Sequence, residues 1–139
     1  VVDYDEYGDR HILRQGTNAL VCEPDDPNTE GFTAWCYQEG HVSRVNFEKK
    51  VAATSNERAE VFRQRVQAVE AGKISLPVAG QMQYILSGDS LGTATRRGQV
   101  ARLPYATSAS TGLPEERSHD GIWLMQAGTN RAHIMIMRP

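Results

Sequence analysis

The chain has 139 residues, with 15 basic and 17 acidic side chains and a formal net charge of −2. That length fits one domain with a core of its own. At 40% hydrophobic and 23% charged residues, the composition is that of an ordinary globular protein. No basic excess exists to neutralise a phosphate backbone, and no run of 18 apolar residues exists to cross a bilayer. Neither nucleic-acid binding nor a transmembrane segment is therefore expected.

Residues 1–10 are polar and read as an irregular N-terminal segment ahead of a single α+β domain over 11–139. The chain begins with Val1 rather than Met and shows no signal-peptide pattern, which suits a processed product. Short strands are predicted over His11–Arg14 and Asn18–Glu23, about a Gly16-Thr17-Asn18 turn. Pro24-Asp25-Asp26-Pro27-Asn28 is loop chemistry, because Pro fixes φ and Asp or Asn bonds its own backbone. That loop is expected to run through Gly31 toward Cys36.

Asn46 to Ala71 is the helical part. Ala59, Phe62, Val66 and Val69 fall on one face of a 3.6-residue period, and Gly72 stands where a helix terminator belongs. Thr54-Ser55-Asn56-Glu57 has the form of a capping box. Phe47 and Val51 belong either to an earlier helix that meets this one near Thr54 or to one continuous helix. Gln81 to Ser87 predicts a half-buried strand, with Met82, Tyr84 and Leu86 alternating with Gln81 and Gln83.

Residues 88–120 are rich in Gly, Ser, Thr and Arg and predict long loops with one strand near Val100–Tyr105. Arg96, Arg97 and Arg102 read as solvated loop cations. Ile122–Gln126 and Ala132–Met137 predict a strand pair joined by a hairpin loop at Ala127–Arg131. Together these elements predict an α+β fold: a mostly antiparallel sheet with one main helix, or a helix pair, packed on one face.

Cys22 and Cys36 are the only cysteines, and they flank a segment full of Pro, Asp and Gly. An even count about an irregular loop favours a bridge over two buried free thiols. A disulfide there closes a 15-residue loop, worth about 3 kcal/mol in the chain-entropy model. It implies an oxidising compartment, hence the periplasm or the exterior. The spacing is not that of a zinc site.

Two patterns carry chemistry. His133, Met135 and Met137 alternate, so on a strand they share a face, and imidazole with thioether is a ligand set for Cu(I). The alternative is packing: Met fills irregular core gaps. Gly88-Asp89-Ser90-Leu91 spells the nucleophile block of GDSL (SGNH) hydrolases, with Ser118-His119-Asp120 further on. Adjacent residues cannot converge as a triad, and only 48 residues follow Leu91, so a plain turn after a strand is the simpler reading. The four histidines, His11, His41, His119 and His133, form no metal-binding spacing, and His41 and His119 are expected on the surface. Asp25-Asp26-Pro27-Asn28 lacks the pattern of a calcium loop, and no phosphate-binding glycine motif occurs.

Several stretches, in order, resemble a family of small, exported, uncharacterised bacterial proteins. Leu13-Arg14-Gln15-Gly16-Thr17-Asn18 followed by Cys22 resembles its "LR-x-GTNGW-x-C" opening, and Pro24-Asp25-Asp26-Pro27 with Cys36 resembles its "PD-x-P…C" loop. Gln83-Tyr84-Ile85-Leu86-Ser87-Gly88 is similar to its "YML-x-G" strand. Ala127 to Met135 is similar to its "AGTPYAHLM" ending. Ala19-Leu20-Val21 stands where that pattern has a Trp, and the region of Leu103-Pro104-Tyr105 lacks its second His. The resemblance implies export and a disulfide, and no established activity.

The function expected from all this is a non-enzymatic, exported binding or structural module, with no catalytic set and no cofactor. A partner protein or self-association would engage the 88–120 loops and the N-terminus. The alternatives are a copper or other metal-binding protein using His133, Met135 and Met137, a subunit of an envelope or filament assembly, and a GDSL-like hydrolase.

Overall fold

Strand alternation and two helices that lie over one sheet face determine where the functional residues sit. The computed structural model describes residues 1–55 and 57–137. In chain order, β1 (Val2–Tyr4) and β2 (Arg10–Ile12) form a two-stranded ribbon. They are followed by β3 (Leu20–Glu23) and β4 (Phe32–Gln38). A 3-10 turn at Glu39–His41 then leads into α1 (Val42–Ala52) and α2 (Arg58–Glu70). Next come β5 (Met82–Gly88), β6 (Arg96–Arg102), the short α3 (Ser108–Thr111), β7 (Ile122–Met125) and β8 (His133–Met137). The main sheet has the order β3-β4-β5-β6-β8-β7, and every neighbouring pair is antiparallel. The fold is α+β, with the helix pair on one face.

The register defines that face. Val21, Tyr37, Gln83, Val100, Met135 and Trp123 stand opposite one another across the six strands. Residues two positions away, among them Trp35, Ile85 and Arg102, point the same way. Tyr37, Val45 and Val100 are buried between this face and the helices. The other face carries Cys22, Cys36 and Tyr84, with Leu20, Tyr84 and Ile122 exposed. Leu124 is fully buried on that second face, and its N–H donates to the carbonyl of Pro114 in the segment preceding β7.

The N-terminal segment is ordered rather than irregular. Val2 is buried, and β1 pairs with β2 in register Val2–Ile12 to Tyr4–Arg10. The Tyr4 hydroxyl donates to Asn46 Oδ1 at 2.7 Å and lies 3.3 Å from the Tyr37 hydroxyl, which donates to buried Glu23 at 3.1 Å. Lys49 closes on the other Glu23 oxygen at 2.7 Å and sits over the Tyr4 ring. This polar network, from the chain's own residues, is what packs on the N-terminus. Gly8, at φ +74, lies against the Lys49 backbone where a Cβ would collide, so the ribbon's turn needs glycine.

Four further expectations are corrected. The segment read as loop up to Cys36 contains β4, the second strand of the sheet. The helical region is two helices that meet near Thr54, the first of the two readings, but the capping box fails: Thr54 closes α1 by donating its hydroxyl to the Val51 carbonyl instead of starting α2, whose N-cap is Glu57. Asn56 lies outside the described residues. The inward stripe of α2 is centred on Arg65 and Ala68, while Ala59 is exposed. On β5, buried Gln83 faces the helices, and Tyr84 points to the open face. Gly72, at φ +67, does end α2, with its N–H on the Val69 carbonyl and the Lys73 N–H on the Ala68 carbonyl.

Cys22 and Cys36 form a disulfide, directly cross-strand between β3 and β4 with Cα atoms 4.0 Å apart. It lies on the open face and ties the loop between them. Replacing both cysteines by serine is expected to lower the unfolding free energy by about 3 kcal/mol, the loop-closure entropy for 15 residues. Denaturant unfolding of the oxidised protein and the double variant measures this; superimposable curves would contradict it.

Candidate functional site: an arginine-lined cavity

Burial of charge marks the site. Between the helix pair and the sheet lies a cavity of about 460 Å³ lined by five arginines and one carboxylate, Glu48. Arg44 comes from α1, Arg58 and Arg65 from α2, Arg102 from the end of β6, and Arg131 from the loop between β7 and β8. Its floor is apolar and aromatic, including Trp35, Val100 and Met135, with Phe62 on the helix side.

Glu48 neutralises only part of this charge. Its two oxygens accept from Arg44 Nη1 at 2.5 Å and Arg65 Nη1 at 2.6 Å. Burial opposes ionisation of Glu48, but the Arg44 and Arg65 charges outweigh it and hold the carboxyl below its usual range. Arg44 and Arg65 are only 5% and 3% exposed, yet Arg44 Nε and Nη2 and Arg65 Nε have no acceptor among the described residues. Arg58 and Arg131 form no ion pair among those residues. Both guanidiniums instead lie over the Phe62 ring, at 5.2 and 3.6 Å from its centroid.

Arg102 points Nε and Nη2 at the Gln83 side-chain carbonyl, 3.1 and 2.6 Å away. Burial, then the charges of Arg44 and Arg65, bring its pKa down to about 9. Its third nitrogen, Nη1, is 3.4 Å from His133 Nδ1. The His133 Nδ1–H already donates to the Arg131 carbonyl at 2.7 Å, so that longer contact offers Arg102 no acceptor. The Arg131 segment is held by a tight turn: the Thr129 N–H and hydroxyl both donate to the Gln126 carbonyl, and the Arg131 N–H donates to the Thr129 hydroxyl. Gln126, on the cavity wall, sits at φ +58, a left-handed conformation that is uncommon outside glycine.

This arrangement has one strong chemical competence. Guanidiniums present planar forks of donors that fit carboxylate, phosphate or sulfate oxygens. An excess of such charge in a half-buried cavity attracts an anion far more strongly than the same charges in water.

His133, Met135 and Met137 do share one face of β8, but His133 and Met135 wall this cavity while Met137 packs beside Gly98. The charges of Arg102, Arg131 and Arg65 act on His133, a field that repels a metal cation. No group of three His, Cys, Asp or Glu side chains suited to a metal occurs among the described residues. Ser90 is exposed and bonds Thr93 in a local turn, 3.0 Å between hydroxyls, with no His in contact. His119 and Asp120 are exposed, and the Ser118 hydroxyl donates to the Ile122 carbonyl. Arg96 and Arg97 lie exposed on β6, whereas Arg102 turns inward, against the expectation of a solvated loop.

His41, expected on the surface, is fully buried, and neither ring nitrogen has a partner among the described residues. The Gln81 backbone, which favours the protonated ring, reaches hydrogen-bond geometry with neither nitrogen. Sequence reasoning missed Arg44, Glu48, Arg58, Arg65 and Arg131. The available signals were the Arg44–Glu48 spacing of four and the Arg58, Phe62, Arg65 spacing of four and three, each of which puts charge on one helix face.

Comparison with models of protein families, with curated proteins and with solved structures finds no match to the chain.

Burial makes two histidines acid-sensitive, His41 and the cavity-lining His133. Burial and then the Arg44 and Arg102 charges push His41 from 6.5 down to about 4. For His133, burial is again the largest cause of a shift to about 4. Below pH 6.5 the unfolded chain takes up protons that the native state refuses until about pH 4. The stability these rings confer is therefore complete above 6.5 and is lost as pH falls toward 4. For His41 the loss is about 3 kcal/mol at most. Unfolding free energies measured across this window should fall less steeply for His41→Leu than for the unmodified protein. Parallel slopes would rule out a buried, neutral His41.

Proposed function

We propose that this chain is an exported, non-enzymatic binding module whose ligand is an anion held in the arginine-lined cavity. The observation that carries this reading is the surplus of guanidinium over carboxylate in the cavity lining: five arginines, of which Arg44 and Arg65 are buried, against Glu48 alone, with donors of Arg44 and Arg65 left unpartnered among the described residues.

Stability gives no reason for that surplus. Each buried donor without an acceptor is destabilising by about 1–3 kcal/mol, and like charges in a low-dielectric cavity repel. Chains retain such groups where a ligand completes them. The net charge of −2 sharpens the point, since the cationic cluster is a local feature and not a reflection of a basic protein. Export is supported by the Cys22–Cys36 bridge, a bond that persists in oxidising compartments, and the resemblance of its motifs to those of small exported bacterial proteins points the same way. No helix among the described residues is long and apolar enough to cross a membrane.

The test is calorimetric titration with inorganic phosphate at low ionic strength. Saturable one-site binding is expected, weakened about tenfold in Arg131→Gln through the loss of charge-assisted hydrogen bonds. Arg131 suits this substitution because its guanidinium stacks on Phe62 and forms no ion pair among the described residues. Absence of phosphate binding, or equal affinity in the variant, would overturn the reading.

A further inference from the structure

Beside the arginine-lined cavity lies a second, mainly apolar groove of about 450 Å³. Trp35, Glu48 and Arg58 line both, so the two spaces meet along one edge. From that edge the groove runs between the helices and β4, with Val45 and Ala52 of α1 on one wall and Val61 of α2 on the other. Ala52 is exposed and Val61 half-buried, so the groove is open to solvent.

We propose that the anion taken by this protein is amphiphilic, with its charged head among the guanidiniums and an uncharged aliphatic or aromatic body in the Trp35–Ala52–Val61 groove. This inference rests on the anion-binding reading above and narrows it to a ligand class.

Two observations commit the groove to an uncharged segment of the same molecule. The first is continuity: Arg58 stands where the spaces join, its guanidinium over Phe62 and its ion-pairing capacity unused among the described residues. The second is that, beyond Arg58 at the shared edge, the groove offers no spare charge among the described residues. Lys49 is bound to Glu23 at 2.7 Å, and Glu48 is bound to Arg44 and Arg65. Past Arg58, a second ionic group on the ligand would find no partner among the described residues, whereas methylenes or a ring would cover Trp35, Val45 and Val61. A bare inorganic anion would leave that apolar wall in water.

The experiment is calorimetric titration with inorganic phosphate, butyl phosphate and octyl phosphate, each below its micelle-forming concentration. Affinity should rise with chain length by roughly threefold to fourfold per methylene that enters the groove. The Ala52→Gln variant narrows the groove at an exposed helix position. It should bind inorganic phosphate as the unmodified protein does but lose most of the gain from the octyl chain. Binding of all three phosphates with one affinity overturns the amphiphilic ligand and leaves the anion site standing. A chain-length gain that survives in Ala52→Gln also overturns it, because the tail then lies elsewhere. No binding of any phosphate removes the anion site and this inference together.

Discussion

The Glu48 carboxylate is the joint on which the architecture of the site turns. It accepts from Arg44 one helical turn away on its own helix and from Arg65 on the neighbouring helix. One buried anion thus fixes α1 to α2 and sets both arginines over the sheet. An apolar contact would hold the helices together as well, and replacement of buried ion pairs by apolar groups is often neutral or stabilising. What the ion triad adds is orientation. Each guanidinium spends one nitrogen on Glu48, while Arg44 Nε and Nη2 and Arg65 Nε, on side chains that line the cavity, have no acceptor among the described residues.

This constraint explains why the helix pair is weakly amphipathic by residue type. On α1 the inward positions include Arg44 and Glu48 beside Val45, and on α2 Arg65 beside Ala68. The long aliphatic stems of arginine can line apolar surface while their heads stay polar, so these positions still exclude water from the sheet. The sheet answers in kind. Gln83, buried on β5, spends its carbonyl on Arg102, and the β7–β8 loop spends a strained Gln126 and a Thr129 turn on placing Arg131. Four separate elements and one loop therefore converge on one polar centre, the kind of convergence that packing alone does not produce.

The same constraint decided what could be read in the sequence. Cys22 and Cys36, the β7–β8 hairpin and the Gly72 stop were legible because each depends on local chemistry: a pair of thiols about a loop, a turn between apolar runs, a residue free to take positive φ. The faces of α2 and β5 were not. A periodicity argument assigns Arg65 and Gln83 to solvent and Tyr84 to the core, and the protein does the reverse because those polar groups find partners inside, Arg65 on Glu48 and Gln83 on Arg102. His41 failed for a related reason: it is buried with its ring edge-on to Tyr37, 6.2 Å between centroids, and one position carries no pattern. β4 was hidden by its neighbours, since the Pro24–Asn28 turn chemistry carried the loop reading on into Phe32–Gln38, a strand flanked on both sides.

The disulfide and the cavity occupy opposite faces of one sheet, and that separation has a mechanical consequence. The covalent tie stiffens β3 and β4 from the face opposite the cavity, so the floor under Trp35 is fixed whether or not the cavity is filled. Across the sheet, the arginines repel one another while the cavity lacks an anion, and Glu48 is the one carboxylate in its lining that opposes this. An anion that binds there removes repulsion as well as adding hydrogen bonds, so its affinity is drawn partly from the folding free energy of the helix pair. By linkage the helices are then held most firmly when the site is occupied. On the anion-binding reading proposed above, a ligand completes the protein's own interior, and the arginines of α1 and α2 that would hold it look, in sequence, like ordinary surface charge on two ordinary helices.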